Sequence, residues 1–203
     1  MAKYNLVTFG DILKNEEIKA YIEKGNRNLG EIGFTEHGFP HAKRSANYAG
    51  NILKSLGYDA RTCELARIAG YMHDIGNVVN RANHAQSGAL MAFDILNRLR
   101  MPPKEVAEIS AAIGNHDEGT AAAVSPVAAA LILSDKGDVR RTRVRDKETV
   151  NADIHDRVNY AVERASTEID TERKTVTLNI TIDTGICPVM EYFGQHRTKH
   201  VRV

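Results

Sequence analysis

The stretch Ala69-Gly-Tyr-Met-His73-Asp74-Ile75-Gly76 ends an apolar segment in an imidazole and a carboxylate side by side, followed by a glycine. A buried, unpaired charge costs on the order of several kcal/mol, so two such groups at a buried helix end need a common partner. A metal ion is one. Neighbouring helical residues point roughly 100° apart, so both side chains reach one ion only where the helix ends or from a concave wall. An isolated His-Asp pair is more simply two solvated groups. Here His41, His84, His116 and Asp135 also fall where helices are expected to begin or end, so a bundle can bring them to one pocket. The donors are nitrogen and oxygen without thiolate, a set that suits iron or manganese first, with nickel, cobalt, zinc or magnesium also accommodated. One or two divalent ions are expected.

Two such ions roughly 3.5–4 Å apart would acidify a water and hold a phosphate oxygen beside it. Phosphoryl transfer then needs little beyond position and positive charge. Arg44 shares a helical face with His41, three positions on, and Lys136-Gly-Asp-Val-Arg140-Arg141-Thr-Arg143-Val-Arg145 follows Asp135 directly. Arg44, Lys136 and Arg140 are the expected phosphate contacts, against a solvated turn for the rest of the cluster. Asp117, beside His116, is a ligand, a leaving-group acid or an orienter of His116. Glu36 is a weaker candidate for the second metal. His37, in the Gly-rich approach to His41, reads as a surface-loop histidine with pocket lining as the alternative, His155, His196 and His200 as exposed, and Cys63 as a small core residue.

The elements that must position these groups are mainly helical. Apolar residues recur at three- and four-residue spacing, predicting helices at roughly 11–25, 40–56, 59–75, 84–99, 103–116 and 126–136. Gly57, Pro102-Pro103 and Pro126 punctuate them. Another helix is expected from about 151 to 160. Thr175 to Asp183 then alternates β-branched or apolar residues with polar ones after the turn Thr171-Glu-Arg-Lys174, predicting a hairpin with Ala161 to Asp170. Val176, Leu178, Ile180 and Ile182 should face the helices. Cys187 to Phe193 resembles the start of a helix, and Gly194 to Val203 reads as a frayed or foreign end. The hairpin covers the bundle in the favoured reading, and its unpaired edge offers a homodimer contact in the other.

The order His41, His73-Asp74-Ile75-Gly76, Asp135 resembles the HD superfamily of metal-dependent phosphohydrolases, in particular members with the H-D-I-G motif, over roughly residues 36 to 146. The resemblance implies an all-α helical bundle and assigns His41, His73, Asp74 and Asp135 to the first metal. By similarity to dinuclear branches, which hydrolyse diadenosine tetraphosphate or cyclic di-GMP, His84 and His116 hold a second metal with Asp74 bridging. The Gly-Tyr-Pro signature of the cyclic di-GMP enzymes is missing, which disfavours that substrate. The implied activity is hydrolysis of a phosphomonoester or phosphoanhydride of a nucleotide or related metabolite. The alternatives are a di-iron oxygenase of the same type and a nucleotide sensor that binds without turnover.

Bulk properties bound the rest. The 203 residues, 42% hydrophobic, suffice for one core, with residues 1–150 as the helical domain and 151–203 packed on it as the same globular unit. A net charge of +1 offers no field for nucleic acid or an anionic membrane. Two cysteines far apart suggest neither a disulfide framework nor a thiolate site, and no leader or spanning run is evident, so a cytoplasmic protein acting on a small phosphorylated molecule is expected.

Overall fold

A computed structural model describes residues 3–117, 121–146, 150, 154–173 and 175–195. The helices are α1 (Phe9–Lys14), α2 (Glu16–Glu31), α3 (Phe39–Ser55), α4 (Ala60–Met72), α5 (His84–Arg98), α6 (Pro103–Gly114), α7 (Pro126–Lys136), α8 (Ile154–Ala161) and α9 (Val189–Gln195), with β1 (Val162–Asp170) and β2 (Thr175–Ile182) between the last two. The architecture is a helical bundle with a small antiparallel hairpin near its C-terminal end.

α7 is the axis of the bundle. Val127 through Ile132 are all buried, so this helix is apolar all round, and α3, α4 and α6 pack against it. Ser125 starts it by accepting from the Ala128 N–H, while Pro126 takes the first turn, where no donor is needed. α4 begins at Asp59, whose carboxylate accepts the N–H groups of Arg61 and Thr62, and runs into His73. α3 and α4 cross closely at Gly70, where a side-chain carbon would lie 2.8 Å from the Ala46 backbone. These contacts fix the ends of three helices near one another, and those ends carry the polar residues.

One predicted helix divides. The segment expected at 11–25 breaks at Asn15, whose backbone is extended and whose side chain accepts from Glu17 and Ile18 to start α2. A capping bond satisfies two donors that continuous helix would also satisfy, and the break lets α2 lie across the 3₁₀ turn Ile75–Val78. The hairpin has the expected strands, with Val176, Leu178, Ile180 and Ile182 half-buried and the intervening threonines exposed. Ile180 and Ile182 join a second small core made by Val139, Val158, Ala161, Val162, Cys187 and Tyr192. The residues expected to fray do not all do so: Gly194 and Gln195 still belong to α9. His196 and His200 lie outside the described residues, as does the side chain of His155. Cys63 and Cys187 are buried free thiols. Among the described residues no helix is long and apolar enough to cross a membrane.

Candidate metal centre

Six side chains converge from five helices and the 3₁₀ turn that follows one of them. His41 is in the first turn of α3, His73 caps the end of α4, and Asp74 follows it into the 3₁₀ turn. His84 is the first residue of α5, preceded by Asn83 in the left-handed region (φ 58°), a conformation asparagine tolerates. His116 lies just beyond α6, and Asp135 is in the last turn of α7. Because α4 ends at His73, the next residue leaves the helical path and its carboxylate turns back to the same centre. All four imidazoles are buried, with ring centroids 5.1 Å apart for His41 and His73, 4.9 Å for His73 and His116, and 5.1 Å for His116 and His84, each pair edge to face.

The hydrogen bonds set how these rings are protonated. His73 Nδ1 donates to the Gly70 carbonyl at 2.9 Å, His84 Nδ1 to the Arg81 carbonyl at 3.1 Å, and His116 Nδ1 to the Ile113 carbonyl at 2.6 Å. A carbonyl only accepts, so Nδ1 carries a proton in each, and in its neutral form the ring turns a bare Nε2 inward. His41 Nδ1 donates to the Asp138 carboxylate at 2.8 Å. Four lone pairs therefore meet two carboxylates. His41 Nε2 is 3.2 Å from His73 Nε2, 3.3 Å from Asp135 Oδ1 and 3.6 Å from Asp74 Oδ2, and His73 Nε2 is 3.3 Å from Asp74 Oδ2. On the other side Asp74 Oδ1 is 3.5 Å from His84 Nε2, which is 3.3 Å from His116 Nε2. Donor atoms bound to one ion at about 2.0–2.2 Å sit roughly 3.0–3.5 Å apart, so the spacing fits coordination.

Two further observations bear on the fit. Asp74 Oδ2 is buried with no hydrogen-bond partner, which is costly unless a cation meets it. In the metal-free protein burial would lower the His73 pKa, but Asp74 and Asp135 outweigh it and hold the ring up to about 10. Desolvation would raise Asp74, yet His73, His37 and His41 hold its carboxyl well below the usual range. The centre thus draws in positive charge, a proton when nothing else is there. His116, desolvated and beside that charge, falls to about 4. The groups His41–His73–Asp74, His73–His116–Asp135 and Asp74–His84–His116 could each hold a metal ion, and Asp74 offers one oxygen to each side.

Behind His41 stands a residue that local sequence patterns do not mark. Asp138, wholly buried, orients His41 and accepts from Arg44 Nε and Arg140 Nε, both at 2.9 Å, while Arg143 donates to its backbone carbonyl. This corrects the expected position of two cations: Arg44 and Arg140 neutralise Asp138 behind His41, because a buried carboxylate needs them more than open solvent does, and neither lines the cavity. Glu36 is likewise committed to Arg140, at 2.8 Å, and to the Gly38 N–H, away from the second group of donors. We predict that Asp138→Asn weakens metal binding by about 10–100-fold, the range typical for lost orienting carboxylates, with little change in fold. Titration with Mn²⁺ checks it, and unchanged affinity would mean that His41 is oriented by packing alone.

A cavity of about 130 Å³ opens over the centre. Its wall includes Asp74, His84, His116 and Asp135, with Asp117, Lys136, Arg81, Arg143 and His37 around them. Lys136 reaches it, held 3.2 Å from Asp135 Oδ2. Asp117 Oδ1 is 4.0 Å from His84 Nε2 and remains a third exposed. His37 is no surface-loop histidine: its ring stands 5.4 Å from that of His41, and Nδ1 donates to the Thr35 carbonyl. Arg81 and Arg143 are the basic wall residues that sequence reasoning did not select, since only the fold brings their loops to the rim.

This chain is similar to known proteins. The uncharacterised protein MJ1020 of Methanocaldococcus jannaschii is 26% identical over 212 aligned positions, covering 92% of this chain and 81% of that protein. The crystal structure of a predicted HD superfamily hydrolase from an uncultured Thermotogales bacterium is 25% identical, with a TM-score of 0.49 over 62% of this chain and 68% of that one. The family model of the HD domain matches residues 38–170, from the start of the helix that carries His41 to the end of β1. Since the match spans well over half of the sequence and includes the His-Asp pair, the chain belongs to the HD domain family.

Proposed function

We propose that this protein is a dinuclear metal-dependent phosphohydrolase acting on a phosphomonoester or phosphoanhydride of a nucleotide or related metabolite. The observation that carries the reading is the commitment of all four imidazole Nδ1 protons to outer acceptors, which aims four Nε2 lone pairs at two carboxylates. His41, His73, Asp74 and Asp135 would hold one divalent ion, and Asp74, His84 and His116 the other. When bound, the ions supply Lewis acidity and an acidified water. Asn77 Nδ2 donates to Asp74 Oδ1 at 2.8 Å, which holds that carboxylate between the two sides. Lys136, at the cavity wall, meets the substrate phosphate, with Arg143 beside it. Asp117, still partly solvated, returns a proton to the leaving oxygen. The rest of a nucleotide extends beyond the cavity, since 130 Å³ encloses little more than a phosphoryl group.

The test is a screen of nucleoside mono-, di- and triphosphates and dinucleoside polyphosphates with Mn²⁺- or Fe²⁺-loaded protein, reading inorganic phosphate and dissolved oxygen together. Phosphate release without oxygen uptake is expected. Oxygen uptake by the ferrous protein in place of phosphate release would move the chemistry to an oxygenase, and nucleotide binding with neither would leave a sensor.

A further inference from the structure

Arg81 treats the two nitrogens of His84 in opposite ways. Its backbone carbonyl accepts from His84 Nδ1 at 3.1 Å, which fixes the tautomer and turns the Nε2 lone pair inward. Its side chain then covers that lone pair, with Nη1 3.3 Å from His84 Nε2. The same Nη1 lies 3.5 Å from Asn77 Oδ1, and the guanidinium rests on Phe34, 5.5 Å from the ring centroid. A lone pair serves one acceptor bond at a time. An ion on His84 Nε2 must therefore displace the guanidinium N–H, and it must do so against the repulsion of that positive charge.

From this geometry we infer that Arg81 and the second metal ion compete for His84 Nε2, so that Arg81 is a positioning residue that sets the affinity of the second metal position and leaves the first unchanged. The inference rests on the dinuclear reading above. His41 and His73 have no comparable cover: their Nε2 atoms face each other and the carboxylates of Asp74 and Asp135. The two halves of the centre are thereby unequal, with the first ion bound tightly and the second loaded only as its concentration rises or as Arg81 is drawn to another partner. Because the Arg81 side chain lines the cavity, an anion entering there offers such a partner. Anion and second ion then assist each other, as linkage requires when both favour the same displaced state of one side chain.

Arg81→Ala separates the two roles, since it keeps the carbonyl that orients His84 and removes the cover, together with the side chain's contacts to Asn77 and Phe34. The experiment titrates Mn²⁺ into wild type, Arg81→Ala, Arg81→Lys and His84→Ala, following free ion by electron paramagnetic resonance and heat by calorimetry. Wild type should bind one ion tightly and one weakly. In Arg81→Ala the second should bind about tenfold or more tighter with the first unchanged, and Arg81→Lys, which keeps the charge but loses the fork, should fall between. An unchanged or weaker second site in Arg81→Ala would overturn the inference while the dinuclear reading stands, because His84→Ala would still lose that site. One ion in all four proteins would overturn both.

Discussion

Replacing Asp74 with alanine is expected to remove turnover and metal together. Among the described residues Asp74 is the one whose two oxygens face both halves of the centre, 3.3 Å from His73 Nε2 on one side and 3.5 Å from His84 Nε2 on the other. Without it neither half keeps its full donor set, and the four neutral imidazoles retain only Asp135 to balance a dication. The loss of Lewis acidity is worth several kcal/mol in the transition state, so at about 1.4 kcal/mol per tenfold the rate should fall roughly a thousandfold or more. Asp74→Asn keeps the shape and removes the charge, and should fail as well while retaining the native fold by circular dichroism. Phosphate release and elemental analysis on the same samples check this. A variant with wild-type turnover or metal content would contradict the assignment of Asp74.

Among the described glycines, Gly76→Ala should be the most damaging substitution. A side-chain carbon at Gly76 would overlap the His84 carbonyl oxygen, and it would lie 2.5 Å from the Gly88 nitrogen and 2.6 Å from Ser87 Oγ. Gly88 answers from the other side, where a side-chain carbon would lie 3.1 Å from the His73 carbonyl oxygen. The backbone of the His73–Gly76 turn thus rests directly on the first turns of α5, and no flexible side chain stands between them to give way. Relief requires moving α5, and His84 moves with it. Overpacking commonly costs about 1–3 kcal/mol, and backbone on backbone belongs at the upper end or beyond, so about 3 kcal/mol or more is expected, with loss of the second metal position. Urea denaturation monitored by circular dichroism measures it. Stability within about 0.5 kcal/mol of wild type would show that the turn can move and that glycine is not required there.

The helical part of the fold was legible because each element states its own period: the apolar run from Val127 bounded by Pro126 and Gly137 gives α7 with its ends. The break at Asn15 was also written locally, as an asparagine followed by two glutamates at a helix start, but the apolar period runs through it and masks it. At the centre, the His-Asp pair and the histidines at helix termini could be picked from residue type and position. Asp138 could not, since its partner His41 lies 97 positions away and nothing local distinguishes it from a turn residue. The same limit explains Arg44 and Arg140: helical spacing shows that Arg44 shares a face with His41, but which carboxylate it meets depends on where the loop after α7 folds back. Arg81 and His37 enter the cavity wall for a similar reason, since their loops have no period and only the packing of α2 against the 3₁₀ turn brings them there.

The most direct test of the account is the number of metal ions per chain, measured by elemental analysis of protein purified without chelators and under exclusion of oxygen, beside His84→Ala. With iron or manganese then supplied in excess so that the weaker position fills, close to two divalent ions per chain are expected in the wild type and close to one in the variant. No bound metal, even after reconstitution with iron and manganese, would contradict it, and would leave the convergence of four imidazoles on Asp74 and Asp135 without a chemical purpose.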